Sequence, residues 1–519
     1  MGFFAARRRK DNGKATTIGE KPLSKGLIFG LLVMVLFLGY LTETDRVIPT
    51  AVIGGFAVCG LLIMMFASFQ QPAIPIYAMV AYLPFSKILA GDFGGVMTAL
   101  NLTNLLMVVL FVSWMVNTGT ERRAFFEPNI MHLPIGLMAA WAVISFQYAG
   151  FRYGMEYTSY YFPTFLPDFK RWMDPVILYF FFYHLVRKPQ VWKNIVVIMM
   201  ISVAIVALMA VHDYITESGG SSLEESRVGG IAGQPNILGA FFVYYMFLYF
   251  SFWLERLKKP GAWALLLPFL LCFRGIMVTF SRGAYLAFAQ GLLGISYFKN
   301  KVIFVLMIGL IAFVLFNPWV LPAGIRYRLE STMKPQSQTQ MADPYEVNPE
   351  ENLDTSSAVR LMIWRGALLM IGDNPIFGIG LGKFPIDIHL YIPLNKYIDA
   401  HNAYIITAAE MGIPALIFFL SMLALLMWMT SYVYKNSDSP FIKTTALGFL
   451  GGLSGLLMAN MFGSRLNTTE VSGYFWILAA LMARAYKWIL DEKRAKYREA
   501  RLAGGREEML GRRSRYRLR

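Results

Sequence analysis

The chain has 519 residues, 56% of them hydrophobic and only 15% charged, with a mean hydropathy of +0.49. A soluble domain carries about 25% charged residues, so a soluble globular fold is excluded. The net charge of +16 sits largely in the tails: residues 1–26 hold seven Lys/Arg against two acids, and 484–519 hold thirteen against five. Basic tails beside membrane spans orient a protein and bind anionic lipid headgroups, which are the partners expected there. No nucleic-acid-binding motif accompanies the charge, and nucleic acid is not an expected partner.

The apolar residues come in blocks of roughly 18–23, each able to cross a ~30 Å hydrocarbon core as a helix. Backbone groups in lipid must be satisfied within their own segment, so the blocks predict helices rather than strands. A basic tail, 1–25, comes first. Expected spans follow at 26–42, 47–68, 72–90, 97–116, 131–150, 173–187 and 192–212, forming an N-terminal membrane region, 26–212. A second region, 213–489, holds spans at 236–254, 261–280, 283–298, 302–318, 412–434, 443–463 and 470–489, with a long loop, 319–411, before the third-last span. A basic tail, 490–519, closes the chain. The expectation is an all-α polytopic membrane protein with about fourteen transmembrane helices, or as few as about twelve. Both cysteines, Cys59 and Cys272, fall inside spans, so no disulfide framework is expected. The polar leader reaching Gly26 is followed by no small-residue cleavage site, unlike a cleavable signal peptide.

Every second connection is basic, apart from the three residues 69–71, which are too short to count: Arg7–Lys10, Arg122 and Arg123, Arg187 and Lys188, Arg256 with Lys258 and Lys259, Lys299 and Lys301, Lys435 with Lys443. The positive-inside bias then puts both termini in the cytoplasm and segments 151–172, 213–235 and 319–411 on the outer side. Within the last, the stretch Pro335–Glu351 is polar. Residues Arg360–Ile371 turn apolar again behind Ser356 or Ser357, either of which can cap a helix. Such a helix is too short to span and is expected to lie on the membrane or re-enter it. Tyr153, Tyr157, Tyr160, Tyr161 and Phe162 suit an interfacial aromatic belt, or stacking on sugar faces.

Four outer stretches carry the titratable and polar groups that are costly near lipid. They are Arg227-Val-Gly-Gly-Ile-Ala-Gly-Gln-Pro-Asn236; Thr279-Phe-Ser-Arg282-Gly-Ala; Arg360 through Asn374-Pro-Ile-Phe-Gly378-Ile-Gly380-Leu-Gly382; and His401-Asn402, followed by Glu410-Met-Gly412-Ile-Pro414. Each has a plainer reading. Arg282 could anchor a helix end at the headgroups, Arg360 and Arg227 could be solvated surface residues, and His401 could be an exposed helix-end histidine. Arg274 lies within a span, either lining a cavity or pairing between helices. The three glycines at 378, 380 and 382 could cradle phosphate but better fit a close-packed turn. Glu410 lies nine residues from His401, about half a turn out of phase and ~13 Å along a straight helix, so the two pair only if Gly412 and Pro414 mark a break.

Ser-Arg-Gly-Ala in an outer turn, Asn-Pro-Ile-Phe-Gly-Ile-Gly-Leu-Gly, and His-Asn with Glu-x-Gly nine residues on together resemble the O-antigen ligase and polymerase superfamily, over about 225–485. The resemblance implies a bacterial inner-membrane glycosyltransferase of GT-C-like fold. Such an enzyme would take an undecaprenyl-diphosphate-linked glycan as donor and a glycan or lipid A core as acceptor, on the periplasmic face. It also implies that Arg282 and Arg360, with Arg227, contact the diphosphate and that His401 is the family's histidine. The chemistry agrees. Arginine stays ionised and offers a fork of donors matched to phosphate oxygens, and a neutral imidazole can take a proton from an attacking hydroxyl. Asn402 could orient the acceptor or fix the chain entry. No Asp-x-Asp pair lies on an outer loop, and Asp387-Ile-His389 is the nearest thing to a metal motif, so neither metal nor other cofactor is expected. Ligase and polymerase would share this site. A transporter of an anionic or sugar substrate is the rival class, although the two halves lack the matched broken helices that transporters often carry.

Overall fold

A computed structural model describes residues 71–89, 102–217 except 123, 227–330, 355–393, 398–464 and 469–516, with isolated residues at 65, 67, 68 and 466. The expected spans at 26–42 and 47–68, the tail 1–25 and the stretch 335–351 lie outside the described residues. Those described form helices and turns, with no strand among them. Each expected span from 72–90 onward coincides with a helix. In chain order these are α1 (Ala73–Tyr82), α2 (Leu102–Thr120), α3 (His132–Tyr153), α4 (Met155–Leu185), α5 (Pro189–Glu217), α6 (Pro235–Leu254) and α7 (Leu266–Val278). There follow α8 (Arg282–Lys299), α9 (Lys301–Phe316), α10 (Ala323–Glu330), α11 (Thr355–Asp373), α12 (Ala403–Asn436), α13 (Pro440–Ala459) and α14 (Thr469–Tyr516). Seven helical segments among the described residues are long and apolar enough on their own to cross a membrane. The protein is an all-helical, multi-pass membrane protein.

The centre of the bundle is α6 between α13, α8 and α7, with α14 on α4. Small residues bring these backbones together, as they must where lipid offers no hydrophobic drive. A Cβ on Gly448 of α13 would lie 2.8 Å from the Phe247 carbonyl oxygen, and Gly291 of α8 faces the Phe247 ring. By contrast α9 buries no residue and leaves Val305, Leu306 and Leu315 exposed, as suits a helix sided by lipid.

Two expectations change. Segment 151–172 is not a loop: it forms the first half of the 31-residue α4, which runs through Pro163, Pro167 and Pro175. Tertiary packing outweighs the prolines, with Phe165 buried and stacked on Phe146 of α3 at 3.9 Å. The second change lies within 319–411. There α11 runs from Thr355 and is joined by short turns at Phe384–Asp387 and Ile388–Leu390. Ile363, Met370, Ile379, Phe384 and Ile388 build a second, smaller core against Ala409 of α12. Residues 355–393 form a folded cap on one end of the bundle.

The basic connections gather at the opposite end. There Glu127 accepts from Arg484 (2.9 Å), pairs with Arg187 (3.1 Å) and bonds Lys487, while Arg484 Nε donates to the Tyr183 carbonyl at 2.8 Å. Burial alone would raise the Glu127 carboxyl. The hydrogen bond from Lys487 and the charges of Arg484 and Arg187 outweigh it and bring it down to about 2.

Candidate active site

The four sequence stretches meet at the capped end. Arg227 Nε donates to the Thr279 carbonyl at 3.0 Å and its Nη2 to Asn236 Oδ1 at 3.0 Å, so the 227–236 loop is stapled to the end of α7. Ser281 then caps α8 by accepting from Ala284 N–H, which puts Arg282 in the first turn of that helix. Gly283 sits so close to the turn after α13 that a Cβ would lie 2.9 Å from Phe462 Cβ. In the same turn the Asn460 carbonyl accepts from Ala403 N–H at 2.8 Å. Asn402 is buried and caps α12, its Oδ1 accepting from Tyr404 and Ile405 N–H at 3.0 and 3.1 Å. Trp364 of α11 closes the circuit by donating to the Ala400 carbonyl at 2.9 Å, and Arg360 is one helical turn before it on the same face. Arg227, Arg282, Arg360, His401 and Asn402 are thus carried on segments that are joined to one another. Arg274 turns elsewhere: it is exposed on α7, with its guanidinium 5.0 Å from the Tyr214 ring of α5. His212, also on α5, lies 3.7 Å from Asp213.

Both turns that carry the candidate residues are held in unusual backbone. Phe280, two residues before Arg282, has φ 47°, and His401 has φ 48°. Left-handed backbone is uncommon for residues other than glycine and persists only where the surroundings enforce it. His401 is part-exposed, and its Nδ1 lies 3.5 Å from Asp399 Oδ2, leaving Nε2 as the ring atom turned away from the carboxylate. Among the described residues no three His, Cys, Asp or Glu side chains are grouped as metal ligands. Asp387 pairs instead with the buried Lys383 at 2.8 Å.

The break in α12 accounts for the glycines. Gly412 has φ 81° and ψ 173°, and the helix divides there. Residues 375–380 run alongside the opened backbone: Ile379 and Gly380 N–H donate to the Ala409 and Glu410 carbonyls at 3.0 and 2.8 Å, and Ile413 N–H to that of Pro375 at 2.8 Å. Side chains on Gly378 or Gly412 would collide with this facing backbone, so the glycine run is a close-packed turn. Glu410 is buried and its carboxylate accepts from Phe384 N–H at 3.1 Å, which makes it a residue of the cap's fold. α3 braces the break from behind, where sequence gave no signal. Trp141 donates to the Met411 carbonyl at 2.8 Å, Ser145 to those of Phe377 (2.6 Å) and Glu410 (3.0 Å), and Arg152 bonds Asn374.

A multi-pass helical bundle with an arginine turn and a histidine turn joined at one end defines a membrane protein with a candidate catalytic end. Residues 267–420 match the family model described as O-antigen ligase, and this stretch is what the chain shares with the O-antigen ligase superfamily. No curated protein matches the chain. The matched stretch includes Arg274, Arg282, Arg360, His401, Asn402 and Glu410, and stops short of Arg227 on one side and Asn460 on the other. The match supports an enzyme of the O-antigen ligase or polymerase type.

Proposed function

We propose that the protein is a bacterial inner-membrane glycosyltransferase of GT-C-like fold that takes an undecaprenyl-diphosphate-linked glycan as donor. The acceptor is a lipid A core or another glycan, at the periplasmic end of the bundle, and no metal takes part. The observation that carries this reading is the joining of the arginine turn to the histidine turn through Gly283, Phe462, Asn460 and Ala403. The basic end of the bundle and both tails face the cytoplasm under the positive-inside bias, with anionic lipid at the tails. An acceptor hydroxyl attacks the anomeric carbon and its proton passes to His401, held by Asp399 at Nδ1. The bond from that carbon to the diphosphate breaks, its electron pair going to the diphosphate oxygen. Arg282 and Arg360 bind the diphosphate and stabilise it as it leaves, doing with fixed donors what a metal would do as a Lewis acid. Arg227 holds the loop beside them and Asn402 fixes the entry to α12. A polymerase would use the same groups with a lipid-linked repeat unit as acceptor.

The test is His401→Ala and His401→Gln, with glycan transfer assayed in membranes alongside the amount of inserted protein. Transfer should fall about 10² to 10⁴-fold in both, as when a general base is lost, with insertion unchanged. Near-normal transfer by His401→Ala would remove the imidazole from the mechanism.

A further inference from the structure

Asn460 ends α13 in the seam between the two site turns. Its backbone is fully used: N–H donates to Leu456 at 2.9 Å, and the carbonyl receives Ala403 N–H at 2.8 Å. The side chain is the opposite case. It is 0% exposed, and neither Nδ2 nor Oδ1 has a hydrogen-bond partner among the described residues. Ser464 Oγ, four residues on, is likewise buried without one. Buried polar groups are almost always paired, and an amide has both a donor and an acceptor end to satisfy. The neighbours place it. Ala403 follows the His401–Asn402 pair directly, and Phe462, two residues after Asn460, packs on Gly283 beside Arg282. Met461 is 42% exposed, so the turn lies at the surface next to the site with the amide directly beneath it.

We propose that Asn460 is a sugar-binding residue whose amide pairs with the hydroxyls of the glycan next to the reacting bond. The chemistry of the group selects this ligand. A phosphate oxygen only accepts, so it could meet Nδ2 but would leave Oδ1 unpaired and facing like charge. A sugar hydroxyl both donates and accepts, and two neighbouring hydroxyls, or one with an acetamido group, satisfy both ends of the amide. The arginines and Asn460 then divide the donor: charge on one side of the scissile bond, hydroxyls on the other. A site built to pair with a hydroxyl also rejects ligands that lack it.

This inference rests on the glycosyl-transfer reading above, and the experiment separates the two. Full-length protein and the Asn460→Leu and Asn460→Ala variants are melted in nanodiscs with two probes. One is undecaprenyl diphosphate; the other is the undecaprenyl-diphosphate-linked glycan that accumulates in cells lacking this protein. Leucine has the outline of asparagine without its polar atoms, so the unliganded Leu variant should melt at or above the temperature of the unaltered protein. Undecaprenyl diphosphate should stabilise all three equally, whereas the glycan-bearing lipid should bind both variants about tenfold more weakly. Equal binding of that lipid, equal weakening of both probes, or a lower unliganded melting temperature in both variants would each overturn the proposal. If the unaltered protein responds to neither probe, the transfer reading falls and takes this one with it.

Discussion

The two ends of the bundle hold their arginines in different ways. At the basic end Arg484 is buried and its donors go to Glu127 and the Tyr183 carbonyl, with its guanidinium 4.3 Å from the Tyr183 ring. That arginine binds α14 to α4 and to the loop before α3, so its charge serves the fold. At the capped end the order comes from backbone instead: an asparagine cap, carbonyls bonded across helices, and left-handed φ at Phe280 and His401. Rigid backbone there fixes the turns that carry Arg282 and His401. A charge enclosed by acids stabilises a protein, while a charge presented on fixed backbone can act on a ligand.

The sharpest way to break this comparison is to make one substitution at each end. Arg282→Lys should lower glycan transfer on the order of 10²-fold with little change in melting temperature, because an ammonium cannot reproduce a two-pronged contact. Arg484→Lys should do the reverse. Lysine cannot serve Glu127 and the Tyr183 carbonyl together, so stability should fall by about 2 kcal/mol while transfer per folded molecule is kept. Transfer assays and thermal melts on both variants check this, and the same profile from both would erase the distinction between the ends.

How much of this was legible in the sequence depends on the kind of signal. Apolar runs gave the helices from α1 onward, since lipid demands length and composition together. The arginine and histidine turns stood out because charge on the outer side of a span needs a reason. Asn460 gave no such signal, being a neutral amide at a helix end whose lack of partners exists only in three dimensions. Trp141, Ser145 and Arg152 were equally silent, since the first two meet backbone 270 and 232 residues away and the third meets the Asn374 side chain 222 residues away. Segment 151–172 falls between two expected spans and so reads as an outer connection, whereas packing of Phe165 on Phe146 makes most of it helix.

An effect on stability of similar size is expected from the hinge of the capped end. Gly412 has backbone angles open only to glycine, and a Cβ there would strike the carbonyl of Ile376. Gly412→Ala should cost more than about 2 kcal/mol and reduce transfer as the cap shifts against α12. Gly372→Ala, where a Cβ meets nothing within 4 Å, is the matched control and should be silent. Equal melting temperatures for the two variants would mean that the break does not hold the cap.

The smallest effect should come from pH at the basic end. The Glu127 carboxyl lies at about 2 in the folded protein against an ordinary value of 4.5. A carboxyl depressed on folding contributes stability that is complete above its unfolded value and is lost as pH falls towards the folded one. The contribution should therefore be constant at neutral pH, decline from about pH 4.5, and be nearly gone near pH 2. Comparing the protein with Glu127→Gln isolates it, because every other carboxyl titrates alike in both. At pH 7 the variant should melt lower, since Arg484, Lys487 and Arg187 lose their shared acid. On acidification the two melting curves should converge, as protonation turns the carboxylate into a neutral group much like the glutamine. A gap that stays constant from pH 7 to pH 3 would mean that the ion network is not what depresses Glu127, and that this end of the bundle is held by packing alone.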